Sequence, residues 1–456
     1  MILAAASVDC EKRVSEYLPG VLKVHQNMGN HSLIHAPSSG GWQGWFVAGP
    51  LIQRWFAAES LSDTEPMNTY GKEKPRWNRV DGIDLMRGFS ILFVLMNHVN
   101  MRLLGAKVPY LKGLPLQLTY TLVWNGQFAV QMFFVISGYL ITSTSIRRWG
   151  KPDTLNMRNF YLLRFARIAP LMLLLLLVLS CLHLAHVPGF VVSDKTGGLG
   201  EALFAALTFH IGYLEATRGY LPGGWDILWS LSVEEMFYLF FPLVARSIRK
   251  RWLLACVLIL FVIAGPFARM KAFNPNPVWR EYSYLGGMDG IALGCLTAMV
   301  LSGRRLSRGA MLTAGSAGAA LIVFTLCFSI QGYKWGLGAV GLNFTILALG
   351  VCLAIMAASQ SRWKAPKLLA PFVVLGQRSY EIYLTHMFAV LALFTVFVHF
   401  GKPLKGVPVL FVLALILAGI VGWTVAVVYA EPMNLLIRRR FGLDANSVGA
   451  AHPYVD

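Results

Sequence analysis

Apolar runs close to 20 residues long recur along most of this 456-residue chain, and no other feature restricts its fold as much. About 20 apolar residues in a helix cross a hydrocarbon core of about 30 Å, and the dry interior requires every backbone N–H and C=O to be satisfied within the span. The runs fall at about 83–104, 122–143, 165–187, 201–217, 228–245, 252–268, 284–302, 309–330, 337–358, 379–400 and 407–430. With 56% hydrophobic and only 14% charged residues, a soluble domain is excluded. The expected fold is all-α, a polytopic membrane helical bundle.

Positive charge settles how many runs cross. The net charge of +18 would point to nucleic acid in a soluble chain, but here Lys and Arg sit in short loops between apolar segments, so no nucleic-acid partner is expected. The strongly basic connections are 72–79, 144–167 (Arg147, Arg148, Lys151, Arg158, Arg164, Arg167), 246–251, 303–308, 362–367 and 438–440. If all eleven runs cross, the 246–251 cluster lands opposite the two before it. If 201–217 stays on one side, every cluster shares a face. That run is short and carries His210, Tyr213 and Glu215. The expectation is ten transmembrane helices in the plasma (inner) membrane, both termini cytoplasmic, with 201–217 as a re-entrant or interfacial helix.

Residues 1–78 lack a span of membrane length and a signal-peptide architecture, and read as a poorly ordered extension. A start at Met67, ahead of Lys72, Lys74, Arg76 and Arg79, is the alternative. Residues 79–435 read as one membrane domain and 436–456 as a short cytoplasmic tail. The six cysteines form no CxxC pair, and all but Cys10 lie in apolar runs, as small buried hydrophobes do. No Walker loop, dinucleotide fingerprint or metal-ligand spacing occurs, so neither a metal nor a bound cofactor is expected.

Ionisable residues inside apolar runs are costly, and by default mark functional sites. In the first run Arg87 and His98 are eleven residues apart, within about 20° of one helix face and about 16 Å apart along the axis. They are either a working pair, or a snorkelling arginine and a hydrogen-bonded core histidine. In the second run Ser137-Gly138 allows close helix approach and places a hydroxyl inside the bundle. Arg164 and Arg167, one turn apart, either grip a phosphate or anchor the helix on its positive side. Glu234 and Glu235 are adjacent acids in an apolar helix, with Tyr238 one turn after Glu234. A buried carboxylate needs a partner, and His98 or an arginine is the natural one. Tyr380, Tyr383 and His386 form a polar stripe at three-residue spacing, and Asp289 and Glu431-Pro432 complete the set. His183, His186, His210 and His399 read as structural.

Together these segments resemble the acyltransferase-3 family of integral membrane acyltransferases, from about residue 80 to 435. The likeness rests on Asp81-Gly-Ile-Asp-Leu-Met-Arg87 followed by His98, Phe133-Phe134-Val-Ile-Ser137-Gly138-Tyr139 and Arg164-x-x-Arg167-Ile-x-Pro170. Trp229-Ser-Leu-Ser-Val-Glu234-Glu235-Met-Phe-Tyr238, Leu375-Gly-x-x-Ser379-Tyr380-x-x-Tyr383-Leu-x-His386 and Glu431-Pro432 follow in family order. Gln131 departs from the pattern, which commonly has Asp there, and the C-terminal esterase-like domain of some relatives is not expected after Glu431.

The resemblance implies transfer of an acyl group, most often acetyl, from cytoplasmic acyl-CoA to a hydroxyl of a glycan or other acceptor on the outer side. His98 is then the base, Glu234 orients or balances it, and Arg87, Arg164 and Arg167 hold the CoA phosphates. Ser137 donates to the thioester carbonyl or shapes the acyl tunnel, and Tyr238, Tyr380 and His386 belong to the substrate site. Direct transfer is expected, because no activated Cys or Ser is evident. The competing class is a transporter or flippase for a lipid-linked sugar or small anion, with Arg87, Glu234 and His98 as a proton relay. Against it, the sequence shows no inverted repeat.

Overall fold

The computed structural model describes residues 80–443 except residue 362. The readings made for residues 1–78, including the Met67 start, and for the last part of the tail concern residues outside this range. All regular structure among the described residues is helical.

Ten helices are long and apolar enough to cross a membrane. They are α1 (Asp81–Gly105), α3 (Gly126–Trp149), α4 (Met157–Leu184), α7 (Gly223–Ser247), α8 (Arg251–Arg269), α9 (Pro277–Leu301), α10 (Arg308–Cys327), α11 (Leu342–Gln360), α13 (Ser379–His399) and α14 (Leu404–Arg440). Shorter helices are α2 (Leu116–Val123), α5 (Gly198–Leu207), α6 (Ile211–Arg218) and the apolar pair of turns α12 (Lys367–Gln377). The count matches the expectation from charge.

The 201–217 run does not cross, but it is two helices rather than one. α5 stops at Leu207 and α6 starts at Ile211. The break is local chemistry: the Thr208 hydroxyl donates to the Phe204 carbonyl at 2.6 Å, and Phe209 takes a left-handed φ of 58°. A second departure lies in α4, which begins eight residues ahead of the expected 165. Asn156 caps it, accepting from the Asn159 N–H at 3.0 Å, so Arg164 and Arg167 stand inside the helix and project from one face. Near the end of α14, residues Ala426–Ala430 form a π-helical turn just before Glu431-Pro432, where Pro432 removes a backbone donor.

Contacts between loops place the basic ends together. Arg246 Nη1 donates to the Asp153 carbonyl at 3.0 Å, Gln360 Nε2 to the Arg304 carbonyl at 2.9 Å, and Lys364 pairs with Asp81 at 3.3 Å. Arg378 pairs with Glu431 at the same end. The clusters around 147–167, 246–251, 303–308 and 438–440 therefore share one end of the bundle, here the basic end.

The bundle is tightest where α3 meets α9. A Cβ at Gly138 would collide with the Ile291 carbonyl, and one at Gly294 with the Val135 carbonyl. Backbones this close are the usual device for joining helices where lipid offers no hydrophobic driving force. Cys295 and Cys352 are buried, whereas Cys181 and Cys256 face outward from the bundle, and the five described cysteines are free. The expected departure at Gln131 also acquires a reason. Its Nε2 donates to Asp289 Oδ1 at 2.9 Å, and Asp289 is paired with Arg269 at 2.5 Å. An acid at 131 would set two buried carboxylates against one guanidinium.

Candidate active site

A cavity of about 450 Å³ opens among α1, α3, α4, α7 and α13. Arg87, Ser137, Arg164, Arg167, Glu234 and Tyr380 line it, over a floor of Phe133, Phe134, Ile141, Ile168 and Leu231. Six of the nine expected site residues thus meet in one place. Three of the helices contribute through the turns nearest the basic end, because Arg87, Arg164, Arg167 and Tyr380 all sit within about three turns of a helix start there.

α4 and α7 face each other through two charges. Arg164 Nη2 meets Glu235 Oε1 at 2.8 Å, and its guanidinium carbon lies 3.8 Å from the centre of the Tyr238 ring. The arginine is held between a carboxylate and an aromatic face, which fixes its plane and leaves other N–H donors available. Arg167 stands 3.5 Å from Glu381 Oε1 and 5.5 Å from the Tyr380 ring centre, with 39% of its side chain exposed. Arg87 Nη1 lies 3.7 Å from Asp84 Oδ1 on its own helix. The Tyr380 hydroxyl donates to the Ile168 carbonyl at 2.9 Å, tying α13 to α4.

Glu234 is engaged from α3. Ser137 Oγ donates to Glu234 Oε2 at 3.1 Å, and the Ser137 hydroxyl also bonds the Tyr238 hydroxyl. A hydroxyl has one proton, so with that of Ser137 given to Glu234 the Tyr238 hydroxyl donates to Ser137. Ser137 thus touches a carboxylate and faces the cavity.

His98 and His386 stand deeper in the bundle and pack against each other, ring centres 5.0 Å apart. His386 is buried, and its Nδ1 lies 2.6 Å from the Tyr383 carbonyl. Tyr383 separates this pair from the cavity. It lines the cavity, its ring centre is 5.7 Å from that of His386 and 6.1 Å from that of Phe133, and its hydroxyl bonds Ser230 at 2.7 Å. Glu234 thus accepts from the Ser137 hydroxyl, and the ring packed against His98 is that of His386.

Sequence reasoning named the arginines without their partners. Glu235 pairs with Arg164 and Glu381 with Arg167, and the available signal was an acid inside an apolar helix, which only a cation from another helix can offset. It gave Ser230 and Phe133 no role beyond their place in the motifs. A further buried polar group lies near the opposite end: Gln127 donates to Glu281 at 2.8 Å, Tyr282 to Asp226 at 2.8 Å, and the Leu221 N–H to Glu215 at 2.9 Å. Burial, with Asp226 nearby, holds the Glu215 carboxyl well above the ordinary 4.5. Among the described residues no three His, Cys, Asp or Glu side chains converge as metal ligands would.

The described residues thus form an all-helical bundle with arginines, a serine and carboxylates around an internal cavity, and histidines beyond it. A family model described as an acyltransferase domain matches residues 80–428, and the chain belongs to the acyltransferase-3 family of membrane acyltransferases. It is 26% identical over 340 residues to the peptidoglycan O-acetyltransferase OatA of Listeria monocytogenes, covering 69% of this chain and 50% of that protein. The O-acetyltransferase OatA of Staphylococcus aureus is 24% identical over 325 residues, with 68% and 50% covered. The putative peptidoglycan O-acetyltransferase YrhL of Bacillus subtilis is 27% identical over 346 residues, with 71% and 50% covered. The chain thus spans about half the length of these relatives. No solved structure matches it.

Proposed function

We propose that residues 79–435 transfer an acyl group, acetyl above all, from acyl-CoA entering at the basic end to a hydroxyl of a surface or cell-wall glycan on the other side of the plasma membrane. The basic end is then cytoplasmic, as the positive-inside rule requires, and the chain's extension and tail lie on that side. The observation that carries this reading is the cavity, in which three guanidiniums stand within one space with a serine and a carboxylate. CoA brings phosphates, which guanidinium forks bind bidentately, and a thioester, which needs a hydrogen-bond donor at its carbonyl oxygen. Arg87, Arg164 and Arg167 supply the first, and Ser137 the second when its hydroxyl turns from Glu234 to the bound thioester. Tyr238 and Tyr380 hold these groups in place through Ser137 and through the α4 backbone.

The acceptor hydroxyl is a weak nucleophile, and His98 takes its proton. The oxygen then attacks the thioester carbonyl, the C–S bond breaks, and CoA leaves as a thiolate that recovers the proton. The net change is one O-acyl bond formed and one thioester lost.

The contact between Ser137 and Glu234 favours a second reading, in which Ser137 is itself acylated and passes the group on. The two are separated by one experiment. Membranes are given radiolabelled acetyl-CoA and quenched, and label is sought on glycan and on the chain. Direct transfer puts label on glycan alone, and an ester on Ser137 establishes the covalent route. With His98→Ala the protein remains in the membrane and glycan label is lost; retained label removes His98 as the base.

A further inference from the structure

His386 carries an unused lone pair beside the proposed base. Its Nδ1 is 2.6 Å from the Tyr383 carbonyl. A carbonyl oxygen only accepts, so Nδ1 holds the proton, and in a neutral ring the lone pair is then on Nε2. That Nε2 is buried and meets no hydrogen-bond partner, in a residue 1% exposed. Buried acceptors are nearly always satisfied, so an orphan of this kind requires an explanation.

The neighbouring ring supplies one. The His98 and His386 centres are 5.0 Å apart with planes tilted by 47°. Two imidazole radii of about 1.1 Å each leave about 2.8 Å between facing nitrogens, the length of an N–H···N hydrogen bond. Catalytic hydrogen bonds are often open in a free enzyme and close in the complex.

We propose that His386 is a positioning residue whose Nε2 lone pair receives an N–H of His98 once His98 has taken the acceptor's proton. The proposal rests on His98 being the base. In the resting enzyme His98 must be neutral, with one nitrogen lacking a proton and the other already bearing one. After transfer both its nitrogens carry protons, one directed to the acceptor oxygen and later to the CoA thiolate, the other to His386. No proton moves to His386, which stays neutral and is oriented by the Tyr383 carbonyl, the part a carboxylate plays in a hydrolase triad. The contact strengthens when charge develops on His98, and so lowers the barrier without tightening substrate binding.

His386→Leu keeps the bulk and removes the lone pair; His386→Gln keeps an acceptor oxygen in reach. Transfer of label from acetyl-CoA to membrane glycan is measured for both, with His98→Gln beside them. The expected result is a kcat at least tenfold lower in H386L with the KM for acetyl-CoA unchanged, and a kcat within about threefold of the parent in H386Q. A folded H386L that keeps its kcat, or a folded H386Q as slow as H386L, overturns the proposal. Activity retained in H98Q instead overturns the reading on which it rests. If neither variant folds, histidine-selective nitrogen NMR of the full parent chain decides: a bare Nε2 on His386 is expected, and a protonated Nε2 contradicts it.

Discussion

Arg167 and Arg164 differ in what their loss does, and the difference follows from their surroundings. Arg164 lies between Glu235 and the Tyr238 ring, so Arg164→Ala leaves a nearly buried carboxylate without its cation. A fall in melting temperature is expected together with weaker donor binding, which makes this variant hard to interpret alone. Arg167 is more exposed, yet Glu381 beside it is buried. Arg167→Ala in a Glu381→Gln background removes the unpaired acid, and the KM for acetyl-CoA should rise about tenfold, or ~1.4 kcal/mol, with little change in melting temperature. An unchanged KM there counts against phosphate binding by Arg167. Glu215 has a pH signature. Its folded carboxyl titrates above the ordinary 4.5 because burial, with Asp226 close by, disfavours its charge. The folded state then holds a proton that the unfolded chain has lost, so stability falls as pH rises from about 4.5. Glu215→Gln should flatten that fall in a melting-temperature series, and an unaltered slope would show that Glu215 does not cause it. The residue types of the site were readable because charge in an apolar run is conspicuous. Their partners were not, since Glu235 and Glu381 reach Arg164 and Arg167 across 71 and 214 positions of sequence, and pairing at that range is fixed only by helix packing.

Helices were legible in existence and less so at their ends. Hydropathy marks where a segment enters the lipid, whereas α4 continues beyond that level as a capped amphipathic start bearing Arg158, Arg164 and Arg167. The split between α5 and α6 follows from the Thr208 hydroxyl and the left-handed Phe209, neither of which alters the apolar average of 201–217. Close approach was better announced. Ser137-Gly138 suggested contact between helices, and Gly138 and Gly294 are where α3 and α9 touch backbone to backbone. Gly138→Ala should therefore reduce the yield of monodisperse protein and lower its melting temperature by several degrees. Gly200→Ala, in α5 with open space around it, should leave both unchanged or slightly improved, since alanine favours a helix by about 1 kcal/mol over glycine. Equal behaviour of the two variants would contradict the packing described for α3 and α9.

Over the molecule, the count of ten spans was readable from charge alone, because each basic cluster has to lie at one end of an alternating chain. The cavity was not, since its volume depends on how five helices diverge. Arg87, Arg164, Arg167 and Tyr380 belong to the basic half, and the paired histidines lie beyond Tyr383. On the proposed mechanism the donor therefore enters at the basic end and the acceptor is met on the other side. That path is tested by sealed membrane vesicles of known orientation, with radiolabelled acetyl-CoA supplied to one side only. Label should reach glycan enclosed in inverted vesicles, whose cytoplasmic face is outward, and should not reach it in right-side-out vesicles until they are permeabilised; His98→Gln should abolish the signal. Transfer in intact right-side-out vesicles, or transfer undiminished in His98→Gln, would contradict donor entry at the basic end or the role given to His98.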